Sequence, residues 1–308
     1  MLVDTLPEEF VPAVYSGEGT SADGGRGTAR RLVIIGDVHG QTKALEDLLE
    51  KVQFNNTKGD HLIFTGDLIN KGPDSAGVVA MAMRLGAHSV RGNHEDRVLL
   101  AHAAMNKKSP ATAADALTAH QVAEAALSKG DQRDRETARS LSDEQIRWLA
   151  ERPLILHIGP IPRGGGGGGN GQPPTFENMV VVHAGLVPNV SLEAQDPWAV
   201  MNMRTITLLK RRNKDEKKKE KKKAGKNKKG EESEPITTVV YGHDAKSGLQ
   251  VPKEFGKGKR GYTFGLDSGC VYGKSLTALV IEVKDGAAVY EIVQVDCEAA
   301  AAVDAVAK

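Results

Sequence analysis

Aromatic residues are scarce in this chain, at 4% of its 308 residues. A core poor in Phe, Tyr and Trp has to be built from Val, Leu, Ile and Ala, which suits sheets covered by helices. Cysteine is nearly absent: Cys270 and Cys297 are too few for a disulfide framework. Free thiols in a reducing compartment are the simpler expectation, with Cys270 as a buried thiol near a cleft. No apolar run approaches the ~20 residues that cross a bilayer, and the N-terminus lacks a basic stretch followed by a hydrophobic one. A soluble intracellular protein is therefore expected, cytoplasmic or else nuclear. Net charge is lacking too, at +1, which excludes a global nucleic-acid or membrane signature.

What is present begins at Arg31–Gly40, RLVIIGDVHG, where Leu32, Val33, Ile34 and Ile35 stop at a glycine and deliver Asp37 and His39. The run is short and mostly β-branched, which reads as a buried strand. On a chain of period two, Asp37 and His39 point one way and Val38 the other. The same grammar recurs: HLIFTG leads to Asp67, Ser89–Gly92 to Asn93, His94 and Glu95, MVVV to His183, and Thr237–Gly242 to His243 and Asp244. Apolar runs that each end in an oxygen- or nitrogen-bearing residue would gather those side chains along one sheet edge, where ligand sites of open α/β sheets occur. Gly40, Gly66, Gly92 and Gly242 are read as making room for tight turns there.

Between these blocks, Gln41–Val52 and Ala76–Leu85 carry helical spacing, the second capped by Asp74 or Ser75. Asp96–Met105 continues as a helix, with Glu95 and Asp96 as acids of its first turn. Pro110–Lys129 is alanine-rich and helix-prone, and Ser142 with Gln145 forms a capping box for a helix ending at Ala150. Leu276–Val283 and Ala287–Val293 alternate as a hairpin about Asp285-Gly286. Residues 1–30 read as a flexible lead-in, 31–297 as one catalytic domain, and 298–308 as a dispensable flexible tail. Low-complexity inserts interrupt the domain at 160–174, a poly-glycine loop, and at 210–235, whose core 210–229 is almost wholly Lys with Arg, Glu, Asp and Asn. The lysine tract is a solvated insert on the plainer reading, and a polyanion contact or nuclear-import signal on the sharper one.

The blocks GDVHG, GDLINKGPDS, RGNHE, VHAG and YGHD occur in the order found in the calcineurin-like metallophosphoesterase superfamily, which the chain resembles from Arg31 to about Val295. It is most similar to the branch of diadenosine tetraphosphatase-like enzymes, with relatives acting on polyphosphate and messenger-RNA caps. The resemblance implies two mixed β-sheets in a four-layer α/β/β/α sandwich, with a dinuclear metal site at the strand ends. It assigns Asp37, His39 and Asp67 to one metal, and Asp67, Asn93, His183 and His243 to the other, with Asp67 as the bridge. Oxygen and nitrogen donors without a thiolate suit manganese, iron or zinc, manganese being favoured, over magnesium or calcium. Two cations about 3.5–4 Å apart can clamp a phosphoryl oxygen and activate a shared water.

In the same resemblance His94 is the acid for the departing oxygen and Arg204 in NMRT a second phosphate clamp, while Arg91 is suited by its own guanidinium to bidentate contact with phosphate. Asn70 and Lys71 stand where protein phosphatases of the superfamily carry aspartate and arginine. Asn70 can hydrogen-bond His94 without supplying charge, and Lys71 offers a point charge in place of a fork. These differences favour cleavage of phosphoanhydride bonds in dinucleoside polyphosphates or inorganic polyphosphate over dephosphorylation of serine and threonine in proteins. A non-catalytic polyanion-binding module is the alternative of another class. His61, His88, His102, His120 and His157 lie outside every ligand block and are read as surface or core histidines.

Overall fold

The computed structural model describes residues 2–13, 30–106, 127–161, 176–205, 237–255 and 261–300. Most of the glycine-rich insert, all of the lysine-rich insert, His120 and most of the alanine-rich stretch lie outside them. The runs singled out in the sequence form strands: β2 is Arg31–Ile35, β3 Asp60–Phe64, β4 His88–Ser89, β6 Phe176–Val182 and β7 Thr238–Tyr241, and Thr263–Gly265 adds β8. With β1 (Val3–Thr5), β5 (Ile155–Ile161), β9 (Ser275–Lys284) and β10 (Ala287–Asp296), they make two 5-stranded sheets. One has the order β10-β9-β2-β3-β4 and the other β1-β5-β6-β7-β8.

Both sheets are mixed. In the first, β2, β3 and β4 run parallel while β9 and β10 are antiparallel; in the second, β6, β7 and β8 run parallel and β5 opposes β6. The sheets face each other across Leu32, Ile34, Ile63, Leu279 and Ile281 on one side and Leu156, Ile158, Val181, Val240 and Phe264 on the other. Alternate residues of the same strands, Val33, Ile35, Leu62 and Phe64, point outward onto helices. A strand buried on both faces reads as a continuous apolar run, which is why RLVII shows no polar alternation.

The helices on that outer face are α1 (Thr42–Lys51), α2 (Ser75–Arg84), α3 (Asn93–Met105), α4 (Lys129–Ser140) and α5 (Asp143–Ala150). Asp74 caps α2 by accepting from Gly77 N, and Ser142 with Gln145 closes the expected capping box of α5. The outer face of the second sheet, through Val180 and Val182, packs on Val200 and Met201 of α6 (Pro197–Asn202). Helices, sheet, sheet and helix are thus stacked in the expected four layers. Among the described residues no helix is long and apolar enough to cross a membrane.

Three expectations are corrected. Part of the lead-in is built into the fold: β1 pairs with β5 in parallel, and Leu6 and Val11 are buried between the sheets. Apolar residues at the start of the chain cover an edge that would otherwise leave a row of unpaired backbone groups. The two cysteines are not free thiols, because Cys270 and Cys297 form a disulfide with Cα atoms 5.2 Å apart. The β9–β10 hairpin returns Cys297 to the loop that carries Cys270, which brings residues distant in sequence within bonding reach. The tail does not leave the surface at once, since Ala300 N donates to Val271 O and Glu298 O accepts from Gln41 Nε2.

Two of the histidines read as ordinary make a pair of their own. His61 Nε2 lies 2.8 Å from His88 Nδ1 on the neighbouring strand, and Phe10 stacks on the His61 ring at 3.8 Å. Burial and the adjacent His88 push His61 down to about 3. A histidine whose folded value is lowered stabilises the protein above its unfolded value near 6.5, and that contribution is lost as pH falls toward 3. Wild-type unfolding free energy is therefore expected to fall, relative to that of His61→Phe, by about 1 kcal/mol per pH unit between pH 6 and 4. Urea denaturation of both proteins across that range checks it, and parallel pH profiles would refute it.

Candidate metal centre

Strand direction decides what meets at the site. The parallel strands β2, β3 and β4 end at Asp37, Asp67 and Asn93, and β6 and β7 of the facing sheet end at His183 and His243. His39, Asp67 and His243 lie at positive φ, 49°, 51° and 69°, where L residues are strained. Such strain persists where the surroundings over-determine it, and it clusters at functional sites. Two glycines do more than ease a turn. A Cβ on Gly242 would lie 2.0 Å from Asp37 Oδ1, and one on Gly92 would lie 2.2 Å from Asp67 Oδ1. Their hydrogens leave room for the two carboxylates.

Each of the histidines expected to bind metal has one ring nitrogen committed to a backbone carbonyl. His39 Nδ1 donates to Ile69 O at 3.0 Å, His183 Nδ1 to Thr65 O at 2.8 Å, and His243 Nε2 to Asn202 O at 3.2 Å. That leaves His39 Nε2, His183 Nε2 and His243 Nδ1 facing inward, the arrangement second-shell partners impose on metal-binding imidazoles. His183 Nε2 and His243 Nδ1 are 3.2 Å apart and lie 3.0 and 3.1 Å from Asn93 Oδ1. Asp67 presents Oδ1 to His183 Nε2 at 3.4 Å and Oδ2 to His39 Nε2 at 3.6 Å. Acceptors converging in a buried place require positive charge among them.

The electrostatics agree. Burial opposes a charged His183, but Asp67 and Asp37 outweigh it and lift the imidazole to about 10. Burial opposes an ionised Asp67 as well, yet His183, His94 and His39 hold it well below the usual carboxylate range. Burial and Lys71 push His39 down to about 3, and burial with His183 pushes His243 to about 4. The Lys71 ammonium stands 2.9 Å from His39 Nε2. A proton on His183 and the Lys71 ammonium thus supply positive charge among the acceptors. His39, Asp67 and His94 lie close enough to hold a metal ion, as do Asp67, His183 and His243, with Asp67 common to both; Asp37, expected beside His39 and Asp67, falls in neither group, its Oδ2 lying 4.0 Å from His39 Nε2.

The model of the calcineurin-like phosphoesterase family matches residues 30–268. This chain belongs to that family. Membership implies divalent metal ions, and the His and Asp groups above fit them. A solved structure of a candidate diadenosine tetraphosphatase superposes with a TM-score of 0.56 at 30% identity, covering 96% of this chain and 98% of that one. A symmetrical bis(5'-nucleosyl)-tetraphosphatase of Photorhabdus laumondii is 32% identical over 162 residues, 52% of this chain and 46% of the relative. One from Erwinia tasmaniensis is 32% identical over 158 residues, 50% of this chain and 44% of the relative. The chain spans about half the length of these curated relatives.

Around the candidate metal-ligand set, this calcineurin-like phosphoesterase places its other expected site residues unequally. His94, at the start of α3, turns Nε2 to within 4.0 Å of Asp67 Oδ2. Burial depresses His94, and Lys71 and His39 push it further down against the pull of Asp67. Arg204 reaches the cleft and donates to His243 O and Asp244 Oδ1 at 3.2 and 2.9 Å. Arg91 is not among the residues that line the cleft. Its guanidinium donates to Ala150 O and lies 3.6 Å from Asp96. A carbonyl at the end of α5, lacking an intrahelical partner, competes for the fork.

Two residues of weight escaped the sequence reading. Glu95, 1% exposed, accepts from Asp67 N, Gly92 N and Leu68 N, each at 2.8 Å, and so ties the loop after β3 to the loop after β4. Burial and the Asp67 carboxylate raise it to about 7. Asp267 lines the cleft just past β8, and burial raises its pKa, with Asp67 adding to the rise. It had a signal, because the run Tyr262–Leu266 ends in an acid as the other blocks do. Glu95 had none, as an acid in a first helical turn is accounted for by the helix dipole alone.

The cleft over the centre holds about 700 Å³. Its rim is cationic, with Lys71, Lys129, Arg133, Arg204, Lys246 and Lys274 among the lining residues. Tyr272 adds an exposed aromatic face, with Lys71 Nζ 5.9 Å from its ring centre.

Proposed function

We propose that this chain is a metal-dependent phosphohydrolase that cleaves phosphoanhydride bonds of dinucleoside polyphosphates or inorganic polyphosphate. The observation that carries the reading is Asp67, whose two oxygens face separate histidine groups beneath a cleft rimmed by cations. Asp37, His39 and Asp67 would hold one divalent transition-metal ion, and Asp67, Asn93, His183 and His243 the other, manganese being favoured over zinc and iron. When bound, such a pair supplies charge to the phosphoryl oxygens and an activated water. The remaining work falls to the chain's own residues. Lys71 and Arg204 grip the phosphates, the cationic rim steers an extended polyanion into place, and His94 faces the departing oxygen.

The names of the two bacterial relatives point to bis(5'-nucleosyl) tetraphosphates, and the candidate diadenosine tetraphosphatase to the same class. A cleft of about 700 Å³ accommodates more than a single phosphoryl group, and Tyr272 offers a face on which a base can stack. Diadenosine tetraphosphate, inorganic polyphosphate and a phosphopeptide, each assayed by product analysis across a manganese titration, test the proposal. Turnover of the first or second, with little of the third, is expected. Phosphopeptide turnover alone would replace the reading with a phosphoprotein phosphatase, and binding of all three without turnover with a polyanion-binding module.

A further inference from the structure

His94 is backed by a buried polar chain that the metal centre does not require. Asn70, 1% exposed, accepts at Oδ1 from Lys71 N at 2.8 Å, which commits that end of the amide. Its Nδ2 faces His94 Nδ1 at 3.1 Å and Asp134 Oδ1 at 2.5 Å. Asp134 comes from α4, is 4% exposed, and accepts through Oδ2 from Arg97 Nε and Nη2 at 2.9 and 2.8 Å. Arg97 returns the chain to α3, one turn beyond His94.

A carboxylate accepts only, so Asp134 must meet the N–H end of the amide. The oxygen end is already held by Lys71 N, and Asn70 therefore cannot turn over. Its second N–H then meets His94 Nδ1, which has to accept. The ring proton is left on Nε2, the nitrogen that faces Asp67 and the cleft.

We propose that Asp134 is a positioning residue. Through Asn70 it fixes His94 as the tautomer with Nε2–H, so that His94 offers a hydrogen bond to the departing oxygen but has no acceptor at Nδ1 to support transfer of a proton. The consequence is selectivity by leaving group, and it deepens the phosphoanhydridase reading on which it rests. In anhydride cleavage the water oxygen bonds to phosphorus and its proton goes to solvent. The old P–O bond breaks with its electron pair on the departing phosphate, which is stable as an anion and needs only the N–H contact. A serine alkoxide leaves as a far stronger base and needs the proton itself.

The decisive variant exchanges the pair, Asn70→Asp with Asp134→Asn. The carboxylate placed at position 70 would accept from His94 Nδ1–H, and the amide placed at position 134 would donate to that carboxylate while still accepting from Arg97. The manganese-loaded full chain is assayed on diadenosine tetraphosphate and on phosphomonoesters from p-nitrophenyl phosphate to phosphoserine. The exchange is expected to raise kcat for phosphoserine relative to p-nitrophenyl phosphate by about 10²-fold, flattening the dependence on leaving-group basicity. An unchanged slope in a folded double variant that still cleaves the tetraphosphate overturns the proposal. Should that variant fail to fold, nitrogen-15 NMR of the histidines in the zinc-loaded wild type decides the matter. A proton on Nε2 of His94, identified by its loss in His94→Gln, supports the proposal, and one on Nδ1 overturns it. Failure of the wild type on every anhydride would instead strike the function reading, and the NMR result stands apart from it.

Discussion

Asp67→Asn is expected to lower kcat on diadenosine tetraphosphate by roughly 10³-fold or more, which corresponds to about 4 kcal/mol of lost transition-state stabilisation. Asp67 Oδ1 lies 3.4 Å from His183 Nε2 and Oδ2 lies 3.6 Å from His39 Nε2, so one carboxylate serves both donor groups. Asparagine keeps the shape but only one acceptor, and its NH₂ would be turned toward a cation on one side or the other. It also removes the negative charge that balances His183. The variant should therefore retain less than its full complement of metal. Metal content by mass spectrometry after dialysis, together with kcat at saturating manganese, checks both effects. A variant that keeps two ions per chain and activity within tenfold of wild type would remove Asp67 from the bridging position.

The second large effect is expected at Glu95→Gln. Glu95 Oε2 accepts from Asp67 N and Gly92 N, and Oε1 accepts from Leu68 N and, at 3.4 Å, Ile69 N. Glutamine has a single oxygen, so its amide group would meet backbone N–H donors with a donor of its own. Leaving buried N–H groups unsatisfied costs about 1–3 kcal/mol each, and a loss of roughly 2–4 kcal/mol of folding stability is expected. The loops after β3 and β4 carry Asp67 and Asn93, and loosening them should weaken metal binding roughly 10- to 100-fold, as loss of an outer-shell partner commonly does. Urea denaturation and a zinc-binding titration measure the two effects. A stability change below about 0.5 kcal/mol, the range of ordinary surface substitutions, would show that the carboxylate does not clamp these loops.

The two sites differ in how they could be found. Asp67 follows HLIFTG and stands in the same grammar as Asp37, Asn93, His183 and His243, so continuous apolar runs that each end in an oxygen- or nitrogen-bearing residue point directly to it. Glu95 lies beside Asn93, yet what matters is the direction of its side chain, back across the turn onto the backbone of both loops. The same distinction separates Arg204 from Arg91. Both were reasonable phosphate contacts by residue type, but a helix-end carbonyl at Ala150 captures Arg91, and nothing in the block RGNHE announces that neighbour. Cys270 and Cys297, read as free thiols, meet because the β9–β10 hairpin has the length to bring them together.

By itself the sequence determined the alternation of strand and helix and the set of donors at the strand ends. Each of these follows from chemistry repeated along the backbone, where burial on both faces demands apolar runs and a strand end exposes the next residue. Only the tertiary structure decided that Glu95 clamps the loops, that Asp134 stands behind Asn70 and His94, that Arg91 donates to Ala150 O, and that Val3–Thr5 complete a sheet. Those outcomes depend on which acceptor a flexible polar side chain meets through space. That partner is supplied by another element of the fold, at a separation in the chain that local pattern does not encode.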